Sequence, residues 1–210
     1  MNHSRIRRSV WTFVAGLLSI SNLVTAQDAT PVDDLDIVVY QSDFSSPVGS
    51  EWSSDSISVT PRDSRSFLGE FDGVNQSVEL NLASLPAHQS VTVRFDLFVL
   101  HTWDGNQPGV GIGPDIWQLR VKDGEILIRT TFSNGAPYAA GQSYPDDFDA
   151  DDTSRFDAFS GALEIGSLGY GLDSVYQIER TFSHSDAALV LEFSGVGVTD
   201  ESWGLDRGFR

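Results

Sequence analysis

The sequence predicts an all-β fold, an antiparallel sandwich or jelly roll, on three observations. Apolar residues recur with a period of two in segment after segment, turns rich in Gly, Pro, Asp and Ser separate those segments, and no amphipathic helix of useful length interrupts them. SVTVRFDLFVL, residues 90–100, is the clearest case. Val91, Val93, Phe95, Leu97 and Val99 share one face, while Thr92, Arg94, Asp96, Phe98 and Leu100 share the other. So long an alternation predicts a long strand, and its partly apolar second face predicts a central place in a sheet.

The chain opens on a different pattern. Arg5, Arg7 and Arg8 precede a largely apolar run from Val10 to Leu23, and Val24-Thr25-Ala26 supplies small residues before Gln27. That is the layout of a secretory signal peptide, so residues 1–26 are expected to be removed and the protein to be secreted, extracellular or periplasmic. Its apolar core is short and interrupted by Ser and Asn, and no second apolar stretch follows, so no membrane span is expected. Residues 27–36 read as an acidic spacer. A single domain is then expected over residues 37–210.

Within that domain the predicted strands are IVVYQSDF (37–44), SVELNL (77–82), SVTVRFDLFVL (90–100), DIWQLRV (115–121), EILIRTTF (125–132), DSVYQIERTF (173–182) and ALVLEFSGVGV (188–198). Asp123-Gly124 between the fourth and fifth is a strong hairpin signal, and SHSD at 183–186 marks a turn between the last two. Residues 133–171 form the least strand-like connection, acidic through YPDDFDADDTSRFD, and a loop of that length is usually functional or mobile.

Composition narrows the function. The chain carries 30 acidic and 13 basic residues. Three of the basic ones and none of the acidic ones lie in the leader, which leaves residues 27–210 with a formal charge of −20. Nucleic acid is an unfavourable partner for such a surface, which suits divalent cations and, equally, a saline exterior. The absence of cysteine excludes disulfides, thiol catalysis and Cys-type metal sites, so stability must come from the core or from a bound metal. A self-repelling surface of this kind predicts a monomer.

Catalytic patterns are incomplete. EFDGVNQ, residues 70–76, approaches the E-x-D-x-x-E pattern of jelly-roll β-glucanases, in which alternate strand residues present a nucleophile and an acid/base to one scissile bond. Glu70 and Asp72 fit, but Asn75 or Gln76 stands where the second glutamate is needed, so no catalytic residue is assigned. G-x-S-x-G and H-E-x-x-H are both absent. DFDAD, Asp147–Asp151, begins like a calcium loop but continues with Asp152 in place of glycine and Ala158 in place of the bidentate glutamate, which leaves an irregular calcium site or a solvated acidic loop. HTWDGNQPGVGIGPDIW, residues 101–117, combines Trp103, Asp104, Asn106, Asp115 and Trp117 around glycines. That mixture suits a sugar, with an aromatic plate for the ring and short polar groups for hydroxyls; the commoner arrangement at strand ends is a pair of structural tryptophans with Asx turns.

Taken in order, DFSSPVGSEWS, FLGEFDG, LPAHQSVTVRFDLFVL, TWDGN with GPDIW, and a closing DESWGLD resemble a secreted bacterial β-sandwich domain of unassigned function, found alone or within large surface proteins. The resemblance spans roughly Ile37 to Asp206. More distantly, the opening Asp-Phe and closing Gly-Leu-Asp are similar to MAM-type and other concanavalin A-like jelly rolls. That likeness implies a concanavalin A-like topology, with Asp43 and Asp206 close together, Glu201 able to contribute, and a structural Ca²⁺ held where the chain ends meet. The related domains continue as Asp-Asn-Val, whereas here Arg207-Gly208-Phe209-Arg210 follows, so the final strand is expected to be short. It implies no catalytic residues. The resulting expectation is a non-catalytic binding module for carbohydrate or a cell-surface component; the alternatives are a concanavalin A-like polysaccharide hydrolase or lyase, and a purely structural or adhesive matrix protein.

Overall fold

Alternating apolar residues bury one face of each segment, and the backbone follows them into antiparallel strands. The computed structural model describes the backbone of residues 17–21 and, in full, residues 37–107, 113–135, 141–151, 156–198 and 200–207. The strands are β1 (Leu17–Ser21), β2 (Ile37–Tyr40), β3 (Ile57–Val59), β4 (Ser66–Phe71), β5 (Ser77–Ala83), β6 (Ser90–Leu100), β7 (Ile116–Val121), β8 (Ile126–Thr131), β9 (Glu164–Ile165), β10 (Asp173–Ser183), β11 (Ala188–Val196) and β12 (Ser202–Asp206). They form two sheets, one of eight strands and one of four in the order β5-β11-β7-β8, with every pairing antiparallel. Two sheets sharing a core make an all-β sandwich. Among the described residues no helix is long and apolar enough to cross a membrane.

β6 is the centre of the larger sheet. β10 pairs with its whole length, Ser90 to Leu100. On its other side β12 pairs with Asp96–Leu100 and β1 with Ser90–Arg94, so two strands follow one another along that edge. Its core face, Val91 through Val99, is buried against the smaller sheet's Val78, Leu80, Leu119, Leu191 and Phe193. The opposite face divides: Phe98 and Leu100 join a second apolar cluster with Phe67, Leu168 and Val175, whereas Asp96 lines a cleft and Arg94 pairs with Glu179.

Several elements differ from expectation. β3 and β4 were not marked by length or strict alternation, and SFLGEF folds as β4 because Phe67 covers the second cluster while Leu68 and Phe71 enter the main core. The turn at 183–186 does not form a hairpin within one sheet, since β10 belongs to the larger sheet and β11 to the smaller. The Asp123-Gly124 turn does close a hairpin, between β7 and β8, with Asp123 at φ 58°. Most of the expected leader lies outside the described residues, and Leu17–Ser21 runs as a strand between β2 and β6. The residues after Arg207 also lie outside them.

Trp203 joins the two sheets at β12. Its ring packs 4.6 Å from Phe71 and 6.2 Å from Trp117, centroid to centroid, and is almost wholly buried. Trp203→Ala is expected to cost about 3–5 kcal/mol, the usual loss for a large buried aromatic, read as a fall in the chemical denaturation midpoint.

Candidate functional site

The connection from β6 to β7 is tied to β12 by a tryptophan. Leaving β6, His101 takes a left-handed turn (φ 68°), and the Trp103 indole N–H then donates to the Ser202 carbonyl at 2.9 Å. Gly105 (φ 66°) makes the next turn where a side chain would strike the Gly141 carbonyl. The backbone N–H of Asp104 donates to Asp115 Oδ2 at 2.5 Å, and that of Asp115 donates to the Gly105 carbonyl at 3.2 Å. Both ends of the loop therefore converge beside the residue that precedes β12.

That residue is Glu201. Carboxylate oxygens of Asp104, Asp115 and Glu201 lie within 4.8 Å of one another, and all three side chains are buried. Asp104 Oδ1 has no hydrogen-bond partner. Burial, together with the carboxylates of Glu201, Asp104 and Asp200, pushes Asp115 up to about 8 against the hydrogen bond from Asp104 N–H. Burial, and then Asp200, also raise Asp104. Without a cation, clustered carboxylates resist full ionisation. The trio could hold a metal ion: oxygens about 2.4 Å from a shared Ca²⁺ are up to about 4.8 Å apart, so this spread fits one coordination sphere. Carboxylate-only donors select hard cations over soft ones.

The other residues singled out in this region have different surroundings. Trp103 and Trp117 are both 0% exposed, so neither offers a ring face to a sugar. Trp103 packs on Phe132, and Trp117 on Phe95, Phe193 and Trp203. Asn106 is buried too, its Oδ1 accepting from the hydroxyls of Thr131 and Ser143. It fastens the loop to the long connection after β8, where Asn134 and Gln142 satisfy further buried backbone groups.

Asp43, Glu201 and Asp206 do not form one site. Glu201 and Asp206 sit at opposite ends of β12, roughly 16 Å apart along an extended chain. β2 and β12 are not paired. Asp43 and Asp206 do line the same cleft, where Arg207 donates to Asp43 Oδ2 at 3.2 Å and Arg65 to Asp206 Oδ2 at 3.1 Å. Hydrogen bonds from Ser45 hold Asp43 below its usual range, and burial raises Asp206. Of the glucanase-like segment, Glu70 accepts from Ser202 Oγ and contacts His101 Nε2 at 2.9 Å. Asn75 and Gln76 accept from the backbone N–H groups of Gly197 and Gly73, which gives both amides turn-forming roles. Asp147 and Asp149 line an open pocket, and Asp149 Oδ1 accepts from Asp151 N–H.

The Asp104–Asp115–Glu201 grouping was only partly visible in the sequence. Asp104 and Asp115 stand out beside glycines, but pairing Glu201 with them requires knowing that β12 lies against the end of β6. No family model matches the chain, and no curated protein or solved structure matches it at a significant level.

The cleft makes stability depend on pH. Burial first, then Asp206, raise Asp96 to about 7; Arg65 and a hydrogen bond from Gln177 lower it, and Glu164 raises it. Its unfolded value is near 3.8. Between those limits the folded state keeps a proton that the unfolded state has lost, so the stabilisation is full below about pH 4 and is lost as pH rises towards 7. Asp96→Asn, uncharged throughout, is expected to flatten this decline by a few degrees in melting temperature between pH 5 and pH 8, measured in excess chelator.

Proposed function

We propose that the protein is a non-catalytic, exported binding module of the jelly-roll, concanavalin A-like kind, clasped by a structural Ca²⁺ and directed at carbohydrate or another cell-surface component. The observation that carries this reading is the buried trio of Asp104, Asp115 and Glu201 with an unpartnered Asp104 oxygen. Three buried carboxylates are costly without a counter-charge, and the acidic, cysteine-free chain has neither a disulfide nor a surplus of basic residues to supply closure. A hard cation would neutralise them and join the β6–β7 loop to β12. The trio supplies part of the six to eight oxygens that Ca²⁺ takes, with water or backbone oxygens completing the shell.

The non-catalytic reading is supported by how the glucanase-like residues are used. Glu70 is engaged with Ser202 and His101, and the amides at 75 and 76 hold turns. Ligand binding is better supported at the cleft on the outer face of the larger sheet than at the buried Trp103–Trp117 pair. That cleft is open, polar and about 790 Å³ in volume.

Adding Ca²⁺ after chelation is expected to raise the melting temperature, by an amount equivalent to about 2.7 kcal/mol at a hundredfold excess over Kd. Asp115→Asn should abolish that rise. Tb³⁺ should give luminescence sensitised by the neighbouring Trp103 in the parent protein and lose it in the variant. A melting temperature indifferent to Ca²⁺, with no Tb³⁺ signal, would remove the metal clasp.

A further inference from the structure

Two connections that cross between the sheets lie side by side at one end of the sandwich. Residues 84–89 carry the chain from β5 in the smaller sheet to β6 in the larger, and residues 184–187 carry it back from β10 to β11. The β6–β10 ladder ends at Ser90–Ser183 and the β5–β11 ladder at Ala83–Ala188, so neither connection is held by a sheet. They are tied to each other instead. Leu85 N–H donates to the Ala187 carbonyl at 2.9 Å, and His184 N–H donates to the Gln89 carbonyl at 3.1 Å. The third tie is a pair of imidazoles, with His88 Nε2 and His184 Nδ1 2.7 Å apart.

The surroundings of the pair fix where its protons sit. His88 Nδ1 lies 2.7 Å from the Pro86 carbonyl, which can only accept, so Nδ1 carries a proton and Nε2 of the neutral ring is bare. His184 Nδ1 is then the donor across the gap. The ring planes lie within 18° of each other and the centroids are 5.0 Å apart, so the rings meet edge to edge, nitrogen to nitrogen, and not face to face. A metal ion shared head-on would need those nitrogens about 4 Å apart, given bonds of about 2.0–2.1 Å. The contact is a hydrogen bond, and it requires one bare nitrogen. A single added proton fits on His184 Nε2 and leaves the bond in place. With both rings charged, N–H faces N–H and the bond is lost.

That second charge is resisted. His88 is 6% exposed, and the Phe182 ring stands edge-on to His184 with 6.3 Å between centroids. Facing His184 are His88 from the other connection, and Asp186 and the Ala188 backbone from its own side. Burial first, then His88, hold His184 below its ordinary 6.5, against Asp186 and Ala188. The unfolded chain therefore takes up this proton at a higher pH than the folded one. The stabilisation is full above about pH 6.5 and is lost as pH falls through the folded value.

We propose that His88 and His184 form a pH-operated latch, shut near neutral pH and released in mildly acidic surroundings, which frees the two sheet-crossing connections and loosens the core beside Leu85 and Phe182. The latch is independent of the binding-module reading. The metal trio lies at the other end of β6, roughly 33 Å along the strand.

The test is amide hydrogen exchange of the full chain in millimolar Ca²⁺, at about pH 7.5 and about pH 5, corrected for the intrinsic pH dependence of exchange. Local exchange is the readout because Asp96 stabilises the whole fold in the opposite sense over this range. The amides of Leu85 and His184 are expected to lose at least tenfold in protection at the lower pH, while that of Leu97 in β6 is unchanged. His184→Ala should leave both amides as weakly protected at pH 7.5 as the parent's are at pH 5. His88→Gln, whose carboxamide oxygen accepts from His184 whether neutral or charged, should keep them protected at both. Equal protection in the parent at the two pH values would overturn the latch, and so would a pH response that persists in either variant.

Discussion

The molecule is organised by a change of chemistry along one strand. β6 is apolar on its core face for all eleven residues, but its outer face passes from Thr92, Arg94 and Asp96 to Phe98 and Leu100. A strand with two faces to bury must have material on both sides, so the Phe98 half packs beside Phe67 and Val175 of the same sheet and is covered by Leu168 from the loop before β10. The Asp96 half is left as the floor of a polar cleft. Where the roof ends, the cleft begins, and Arg65 spans the boundary by resting on Phe98 while pairing with Asp206 and Glu164.

β12 connects this cleft to a second concentration of acid. Its inward residues, Trp203 and Leu205, belong to the core, and Asp206 enters the cleft at one end. Glu201, just before the strand, meets Asp104 and Asp115 at the other. A short, fully buried strand so flanked by carboxylates joins packing to electrostatics: whatever neutralises the acids also holds the strand in register. The Trp103 N–H bond to Ser202 supplies a neutral version of the same fastening. In a chain without cysteine such local ties take the place that disulfides hold in many exported domains.

The buried acids also illustrate how one residue type acquires different roles from its surroundings. Asp173 accepts three backbone N–H groups, from Leu168, Gly169 and Tyr170, and so folds the loop that roofs the second cluster. Asp43, partly exposed and bonded by Ser45, is held in its ionised form. Asp96 and Asp115, more deeply placed and beside other carboxylates, are pushed towards neutrality. Burial and neighbours decide between structural acceptor, solvated charge and an acid pushed towards neutrality.

Much of this was legible in the residues themselves. Period-two alternation identified the long strands, marked β6 as central, and Asp-Gly placed the β7–β8 hairpin, because side-chain direction in a strand is fixed locally by the pleat. Glycine spacing likewise drew attention to Asp104 and Asp115. What only the tertiary structure decided was which side chains meet: that Trp103 and Trp117 are core rather than platform, that β10 and β11 lie in different sheets, that Glu201 joins the loop acids, and that Asp206 instead faces Asp96. Those contacts join residues separated by roughly a hundred positions, and strand order and register, not local periodicity, bring them together.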